Sequence, residues 1–175
     1  MAQDFIERAI ETDRSFLEQF DPERDLEAFE RAWRLRQTGA TAEVHAFEPN
    51  YEGSPIVVGS EGAQCSAVGS HVFKARTGHH LAPQPLSTGR NVFDELGSGY
   101  TLLALDVDDA VIACFERTTA GLGIPFKVVR DTRSQGREKY DARLVLIRPD
   151  EFVAWASNDA PKDPGSILRQ AVAAA

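Results

Sequence analysis

The stretch that decides the fold is YTLLALDVDDAVIACFERTTAGLGIPFKVV, which runs from Tyr100 to Val129. It opens with the apolar run Tyr100–Leu105, which is typical of a buried strand. Residues Asp106–Gly121 then space their apolar side chains as a helix does, and Ile124–Val129 is a second extended segment. A strand, a helix and a strand in this order form a βαβ unit, which predicts two parallel strands joined by a right-handed crossover.

Two further strands and a helix follow the βαβ unit along the chain. The run RLVLI at Arg143–Ile147 predicts a third strand, and FVAW at Phe152–Trp155 predicts a fourth. Only a short turn separates them, so we expect the two to pair as a hairpin. Asp163-Pro164 is typical of the cap of a last helix at Gly165–Ala173. The order predicts an α/β protein with a thioredoxin-like βαβ-ββα core.

The N-terminal part of the chain has helical periodicity. Apolar side chains recur every three or four positions among charged ones over residues 3–36, which predicts a helical segment with one apolar face. Asp21-Pro22 interrupts this segment, because proline suits the first position of a new helix. Gly39 is a plausible end of the second helix.

Residues 40–92 change character. The alternation at residues 42–46 and the β-branched run Ile56–Val58 predict two extended segments on either side of a turn at Pro49–Gly53. Residues 59–92 are rich in Gly, Ser, Pro and His, and they predict a long loop. A loop of this length inside a compact domain is often functional or forms part of an interface.

The chain has 175 residues, enough for one domain with an appended segment. The patterns above divide it into three parts. These are a helical segment at 1–50, an extended, loop-rich connection at 51–98, and a thioredoxin-like domain without a Cys-x-x-Cys motif at 99–175.

Charge and hydropathy exclude several classes of partner. The net charge is −8 and no cluster of Lys and Arg occurs, so we expect no nucleic-acid partner. No apolar run approaches the roughly 20 residues that span a bilayer, and we expect no membrane partner. The N-terminus has no apolar signal core, and two cysteines form no disulfide framework; both observations favour a cytoplasmic protein.

The thioredoxin-like pattern raises the question of thiol chemistry. Redox members place a cysteine pair where a helix begins after a strand, and the helix dipole lowers the thiol pKa. The corresponding stretch here, Asp106–Ala110, holds three carboxylates and no cysteine. Cys114 is expected to be a small buried apolar residue in the helix, and Cys65 lies in the long loop. The sequence therefore argues against a thiol-redox protein.

The sequence predicts neither a metal site nor a cofactor site. The adjacent histidines His79 and His80 point in different directions on an extended backbone, which disfavours one shared metal. Gly97-Ser98-Gly99 precedes a strand, and Gly121-Leu122-Gly123 follows a helix, whereas a dinucleotide loop follows a strand and opens a helix. No spacing suggests a nucleophile with its base, so no catalytic residue is predicted.

A charged stretch follows the second strand of the βαβ unit. Its members are Lys127, Arg130, Asp131, Arg133 and Arg137. Two interpretations stay open at this point. The stretch is typical of a charged edge strand followed by a solvated loop. It would equally suit an ion-pair contact with a partner domain.

Several segments carry a resemblance to a known family. They are Tyr51–Ile56, Gly78–Pro83, Asn91–Leu103, Leu122–Asp131 and Tyr140–Trp155. Together they resemble the C-terminal domain of the FAD-dependent aromatic hydroxylases, in the group of phenol hydroxylase and dichlorophenol monooxygenase. The resemblance covers the chain from about residue 51 to residue 171. His79-His80 stands where that family commonly has an arginine, so the second segment matches loosely.

The resemblance implies a fold and a role. The tail domain of such hydroxylases is thioredoxin-like without the redox cysteines, and the enzymes use FAD and NAD(P)H to hydroxylate aromatic rings with oxygen. Their flavin-binding Gly-x-Gly-x-x-Gly loop is absent from these residues. The resemblance therefore implies an accessory domain that is inactive alone and has a flavin-binding catalytic domain or subunit as its partner. Residues 1–50 would correspond to the last helices of the substrate domain.

Two other functions remain possible: a free-standing thioredoxin-like binding module and, less favoured, a thiol-redox protein. An apolar helical face built for an absent partner would favour self-association, so we predict a homodimer through residues 3–36. The candidate interface residues are Phe5, Ile10, Leu17, Trp33, His79, His80, Arg130 and Arg133.

Overall fold

The computed structural model describes residues 2–19, 25–35, 47–59 and 62–173. The chain divides into two compact units. The first, which we call the helical unit, comprises Met1–Pro49 and Ser66–His71. The second, which we call the sheet unit, comprises Asn50–Cys65 and Val72–Ala175.

The helical unit contains two of the predicted helices, α1 (Ala2–Gln19) and α2 (residues 26–35). They pack through aromatic rings, because Phe16 lies 5.9 Å from both Phe29 and Trp33 between ring centroids. The break predicted at Asp21-Pro22 and the helix end predicted at Gly39 lie outside the described residues. In the described part of the chain, no helix is both long and apolar enough to cross a membrane.

Strands β1 (Phe47–Asn50) and β2 (Ser66–Val68) form a small two-stranded sheet. The extended segment predicted at residues 42–46 falls on residues that are not described. The strand predicted at Ile56–Val58 is wrong, because these residues form turns in which the Val57 amide donates to the Ser54 carbonyl at 3.0 Å. Strand β2 lies inside the stretch predicted as a loop.

The sheet unit is built on four strands: β3 (Tyr100–Leu105), β4 (Phe126–Asp131), β5 (Leu144–Ile147) and β6 (Val153–Ser157). Their order across the sheet is β4-β3-β5-β6. Strands β3 and β4 are parallel, as the βαβ pattern predicts. Strand β5 is antiparallel to β3 and β6, so the predicted hairpin of β5 and β6 is confirmed. The α/β class with a βαβ-ββα core is therefore correct.

Helix α3 (Asp109–Leu122) joins β3 to β4, and helix α4 (Pro164–Ala171) ends the fold. Helix α3 starts three residues later than the pattern predicts, because Asp106 has a φ of +52° and turns the chain before the helix begins. It ends at Gly123, whose left-handed φ of +67° closes the helix as a glycine cap does. Helix α4 has the predicted cap, with the Gly165 amide donating to Asp163 Oδ1 at 2.9 Å.

Both faces of the sheet are covered. One face carries Leu102, Leu144 and Leu146, which pack against α3 and α4 through Phe115 and Leu168. The opposite face carries another set of apolar strand residues: Leu103, Leu105, Val145 and Ile147. No α-helix contributes to this second face in the described cluster. Its cover is a loop region that contributes Ala75, Leu81, Leu86 and Val92, and Tyr140, from the short turn before β5, packs with them.

We call this loop cover, residues 75–96, the irregular layer. It includes one turn of 3-10 helix at Val92–Glu95, which Asn91 caps by accepting from the Phe93 amide at 3.2 Å. Leu81, Leu86 and Val92 are all buried. The long loop predicted from the sequence is thus part of the core and not only a connection.

The two-sided burial of β3 gives a prediction about stability. Replacing Leu102 by Ala removes a fully buried side chain between α3 and α4 and leaves a cavity, so we expect the free energy of unfolding to fall by about 3 kcal/mol. Urea denaturation measures this loss. The control is Leu122→Ala at the exposed end of α3, for which a change below about 0.5 kcal/mol is expected. Equal losses in the two variants would contradict the core described here.

Candidate functional site

The loop that carries the two adjacent histidines is bonded to the outer edge of β6. The Gly78 amide donates to the Val153 carbonyl at 2.8 Å, and the Val153 amide donates to the His79 carbonyl at 2.9 Å. Gly78 has a φ of +83°, and a Cβ there would lie 2.7 Å from the Glu52 nitrogen, so the loop needs glycine at this point. These bonds hold His79 and His80 in defined and different directions.

His79 points inward and is 3% exposed. Its Nδ1 lies 2.9 Å from an Arg76 guanidinium nitrogen, and its Nε2 lies 2.8 Å from Glu52 Oε1. A guanidinium can only donate, so Nδ1 accepts and Nε2–H donates to the carboxylate. The geometry therefore selects the neutral Nε2–H tautomer and makes His79 a buried bridge between Arg76 and Glu52.

His80 points outward, and its side chain is 46% exposed. Both ring nitrogens face oxygen: Nδ1 lies 3.0 Å from the Leu81 carbonyl, and Nε2 lies 3.1 Å from Glu151 Oε2. The adjacent histidines thus serve different roles, one inside the fold and one at its surface.

The His80 ring belongs to a line of four rings, which we call the ring row: Tyr51, Phe152, His80 and Phe93. Successive centroids are 4.7, 5.3 and 5.6 Å apart. The Arg148 guanidinium lies 5.6 Å from the centroid of the Tyr51 ring. Of these residues only His80 is among the interface residues predicted from the sequence, because the other three rings are far from it along the chain.

The charged stretch after β4 contains a buried ion pair. The side chains of Arg137 and Asp131 are each 1% exposed, and Arg137 Nε lies 3.4 Å from Asp131 Oδ2. The guanidinium also donates to the Thr132 carbonyl at 2.7 Å, to Thr132 Oγ1 at 2.9 Å and to the Pro85 carbonyl at 3.0 Å. The interpretation of this stretch as a solvated loop is therefore wrong for Arg137. Its guanidinium ties the irregular layer to the end of β4.

The partners of Asp131 account for its ionisation. Burial alone would raise the pKa of its carboxyl, but the Ser87 and Thr132 amides donate to it at 2.8 and 2.7 Å, and Arg137 adds a positive charge. The net result is a pKa below the ordinary value of 3.8. The carboxylate is therefore held ionised as the acceptor that joins Ser87 to β4.

The two arginines proposed for an interface lie at the same end of the sheet unit. Arg130 is half exposed and pairs with the exposed Asp109 at the start of α3. Arg133 is one-third exposed, and its amide donates to Asp106 Oδ2 at 2.8 Å. Its Nε is buried and has no hydrogen-bond partner among the described residues. Strand β4 is an edge strand, so the interpretation of a charged edge strand followed by a solvated loop is correct for the strand and wrong for Arg137, which is buried.

In the helical unit, Ile6, Ile10 and Leu17 are each more than half exposed. Their spacing of four and seven residues places them on one face of α1. Trp33 is 42% exposed. Its ring stacks on that of Phe29, with a distance of 5.9 Å between ring centroids and an angle of 14° between the ring planes. Phe5 lies in α1, and its side chain is not among those described. The interface role of these residues stays a prediction.

The turn between β3 and α3 does not fit a flavin dinucleotide. A helix N-terminus binds pyrophosphate through free amides and its positive dipole end. Here Asp106, Asp108 and Asp109 surround that end with negative charge, which would repel the phosphates. Gly99 has a different reason to be glycine, because a Cβ there would lie 2.2 Å from the Pro125 carbonyl oxygen.

The two thiols are free, and neither lies in this turn. Cys114 lies in the second turn of α3. It is half-buried, whereas the sequence predicts a buried side chain. Cys65 is also half-buried, and its Sγ donates to the Glu52 carbonyl at 3.4 Å. In the described residues, no three His, Cys, Asp or Glu side chains come together as metal ligands could.

Comparison with known proteins relates this geometry to one family. Residues 74–175 match the family model described as aromatic-ring hydroxylase, C-terminal. The 4-methyl-5-nitrocatechol 5-monooxygenase of Burkholderia sp is 31% identical over 54% of this chain and 19% of its own length. Aklavinone 12-hydroxylase RdmE of Streptomyces purpurascens is 32% identical over 57% of this chain and 19% of its own length.

Solved structures match a longer part of the chain. The substrate-free form of the rebeccamycin biosynthetic enzyme RebC covers 91% of this chain, with 26% identity and a TM-score of 0.65. The ternary complex of aklavinone-11 hydroxylase with FAD and aklavinone covers 73%, with 24% identity and a TM-score of 0.59, and shows a shared fold. The chain spans about a fifth of these curated relatives and 30% of the RebC chain.

The buried ion pair gives a prediction with a matched control. Replacing Arg137 by Met removes the cation that pairs with the buried Asp131 and the donor to the Pro85 carbonyl, so the free energy of unfolding should fall by about 3–5 kcal/mol. Arg130→Met removes an exposed pair close by in the sequence and should cost less than about 1 kcal/mol. Chemical denaturation of the two variants compares them directly. Similar small losses in both would show that Arg137 is not a structural tie.

The bridge at His79 gives a prediction for nuclear magnetic resonance. At pH 8, the ¹⁵N shifts of His79 should show Nδ1 without a proton and Nε2 with one. Replacing Arg76 by Ala removes the donor and should let the Nδ1–H tautomer appear. The exposed His71 serves as the internal reference and should keep its shifts in both proteins. An Nδ1–H tautomer in the unmodified protein would contradict the bridge.

Proposed function

Because this chain belongs to the aromatic-ring hydroxylase family through its C-terminal domain, we propose that it is the accessory part of a flavin-dependent aromatic monooxygenase. It braces the flavin-binding catalytic part or mediates contacts between subunits, and it performs no chemistry alone. Its sheet unit keeps a thioredoxin-like core as a scaffold, without the thiol pair of redox members.

The observation that carries this proposal is the exposed apolar face of the helical unit. The RebC match leaves out about 9% of this chain, which is about 16 residues, whereas the helical unit starts at residue 1 and extends to residue 49. Part of that unit therefore has a counterpart in a longer enzyme. A face bearing Ile6, Ile10 and Leu17 is costly to leave in water. In the complete enzyme, the catalytic part would cover it.

The flavin and the nicotinamide belong to the partner in this proposal. Bound FAD supplies the oxygen chemistry, and NAD(P)H supplies the electrons. The solved complex of aklavinone-11 hydroxylase contains FAD, which supports a flavin in the longer relatives. The carboxylates at the start of α3 argue against a second flavin site in this chain.

The same apolar face would support self-association when the partner is absent. We infer a homodimer through residues 3–36, with Ile10, Leu17 and Trp33 at its centre. Cytoplasm is the compartment proposed, because the two thiols are free and a hydroxylase needs nicotinamide cofactor. A free-standing binding module is the second candidate, and co-purification with a flavoprotein would exclude it.

Absorbance and light scattering test the proposal together. The purified chain should show no flavin bands and no NADPH oxidation with phenols, and it should scatter as a dimer. Replacing Ile10 and Leu17 together by Glu places charge on the apolar face and should give a monomer. The far-ultraviolet circular dichroism should stay unchanged, because both side chains are exposed in the single chain and the substitutions leave its fold intact.

The control is Leu122→Glu, which puts the same charge on an exposed leucine of α3 and should leave the dimer intact. A yellow protein, or turnover by the chain alone, would contradict the accessory role. A wild-type monomer at high concentration would contradict the dimer and leave the accessory role standing.

A further inference from the structure

The ring row has the composition of a protein interface. Tyr51 is 42% exposed, the His80 side chain is 46% exposed, and Phe93 and Phe152 are half-buried. Aromatic rings and arginine are enriched at the centres of interfaces, where they contribute most of the binding energy. The row combines aromatic rings with Arg148 at one end. It therefore differs from the singly exposed leucines found elsewhere on the surface.

The row is also held rigid before any partner binds. Phe152 precedes β6, which is bonded to the Gly78–His79 loop, and Phe93 lies in the capped 3-10 turn. The Tyr51 amide donates to the Gly78 carbonyl at 2.7 Å. His80 is held by the Leu81 carbonyl and Glu151. Little side-chain entropy would be lost on docking, which favours affinity.

Charged groups beside the row are already paired. Arg148 binds Asp150 at 2.7 Å, and His80 contacts Glu151 at 3.1 Å. A partner that covers the rings therefore meets a polar rim whose side chains already have partners. An apolar centre with a polar rim of this kind fits a protein surface and does not suit a small charged ligand.

We infer that the ring row is the surface on which the flavin-binding part of the hydroxylase docks, an inference that rests on the proposed function. The length of chain outside the match supports this occupant. In the RebC chain, about 70% of the residues lie outside the match, and the family model describes the matched part as C-terminal. In such an enzyme the flavin-binding part is joined to the sheet unit through the helical unit, which keeps it at high effective concentration.

Site-specific photo-crosslinking in the native cell tests the inference. The photoreactive residue p-benzoylphenylalanine replaces Tyr51, Phe93, Leu17 or Leu122, one at a time. Crosslinks from Tyr51 and Phe93 should be to peptides of a polypeptide region that carries a Gly-x-Gly-x-x-Gly flavin loop, identified by mass spectrometry. Leu122 is the control, because α3 packs on the opposite face of the sheet from Leu81 and Val92.

A second variant measures the contribution of the row. With the photoreactive residue at Phe93, replacing Tyr51 by Ala should lower the crosslink yield about tenfold, as loss of a central interface aromatic does. Replacing Leu122 by Ala in the same background should leave the yield unchanged.

The outcomes separate the two proposals. Crosslinks to the flavin-binding region from Leu17 but not from Tyr51 or Phe93 would overturn the ring row and leave the accessory role intact. Crosslinks from the row to a second copy of this chain would also overturn the inference. No flavoprotein crosslink from any of these positions would overturn both.

Discussion

Strand β3 is buried on both faces, and the rest of the sheet unit depends on covering it. Thr101 to Leu105 are almost completely inaccessible, and each apolar side chain that meets water there would cost about 1.5–3 kcal/mol. Helices α3 and α4 cover one face with regular structure. The irregular layer covers the other, and a loop supplies no hydrogen-bond ladder of its own. Its backbone is therefore satisfied partly by bonds to β6, such as that from the Gly78 amide to the Val153 carbonyl, and partly by particular side chains.

Those side chains explain why polar groups are buried in this domain. Arg137 binds the Pro85 carbonyl, the Tyr140 hydroxyl donates to the Ala82 carbonyl at 2.6 Å, and His79 joins Arg76 to Glu52. Burial raises the pKa of Tyr140, which keeps its hydroxyl a donor. Each of these contacts holds one residue of the irregular layer in place, and the apolar residues between them fill the core. The same loop that completes the core also presents His80 to the surface.

The parts of the fold that sequence predicts are those governed by local periodicity. The apolar runs of β3 and β5, the cap at Asp163 and the glycine at Gly123 carry signals that tertiary contacts reinforce. Ile56–Val58 is β-branched but lies after Ser54-Pro55, and turn chemistry there outweighs strand propensity. The ring row joins residues up to 101 positions apart, and Arg137 lies in a polar run, so no local pattern identifies either.

The contacts of Val57 and Val58 place the start of the domain earlier than the family match or the sequence pattern does. The family match starts at residue 74, and the strand-helix pattern suggests a start near residue 99. Yet Val57 is buried in the sheet unit, and the Val58 amide donates to the Ala154 carbonyl at 2.9 Å. Excision at either later point would remove the Val58 bond to β6, and excision near residue 99 would also remove the bonds from Gly78 and His79. The backbone exposed in this way can pair with another molecule, which is how sheet proteins aggregate. A recombinant domain that begins at Asn50 keeps the residues bonded to the outer edge of β6. The edge of its sheet therefore stays protected against fibrous self-assembly.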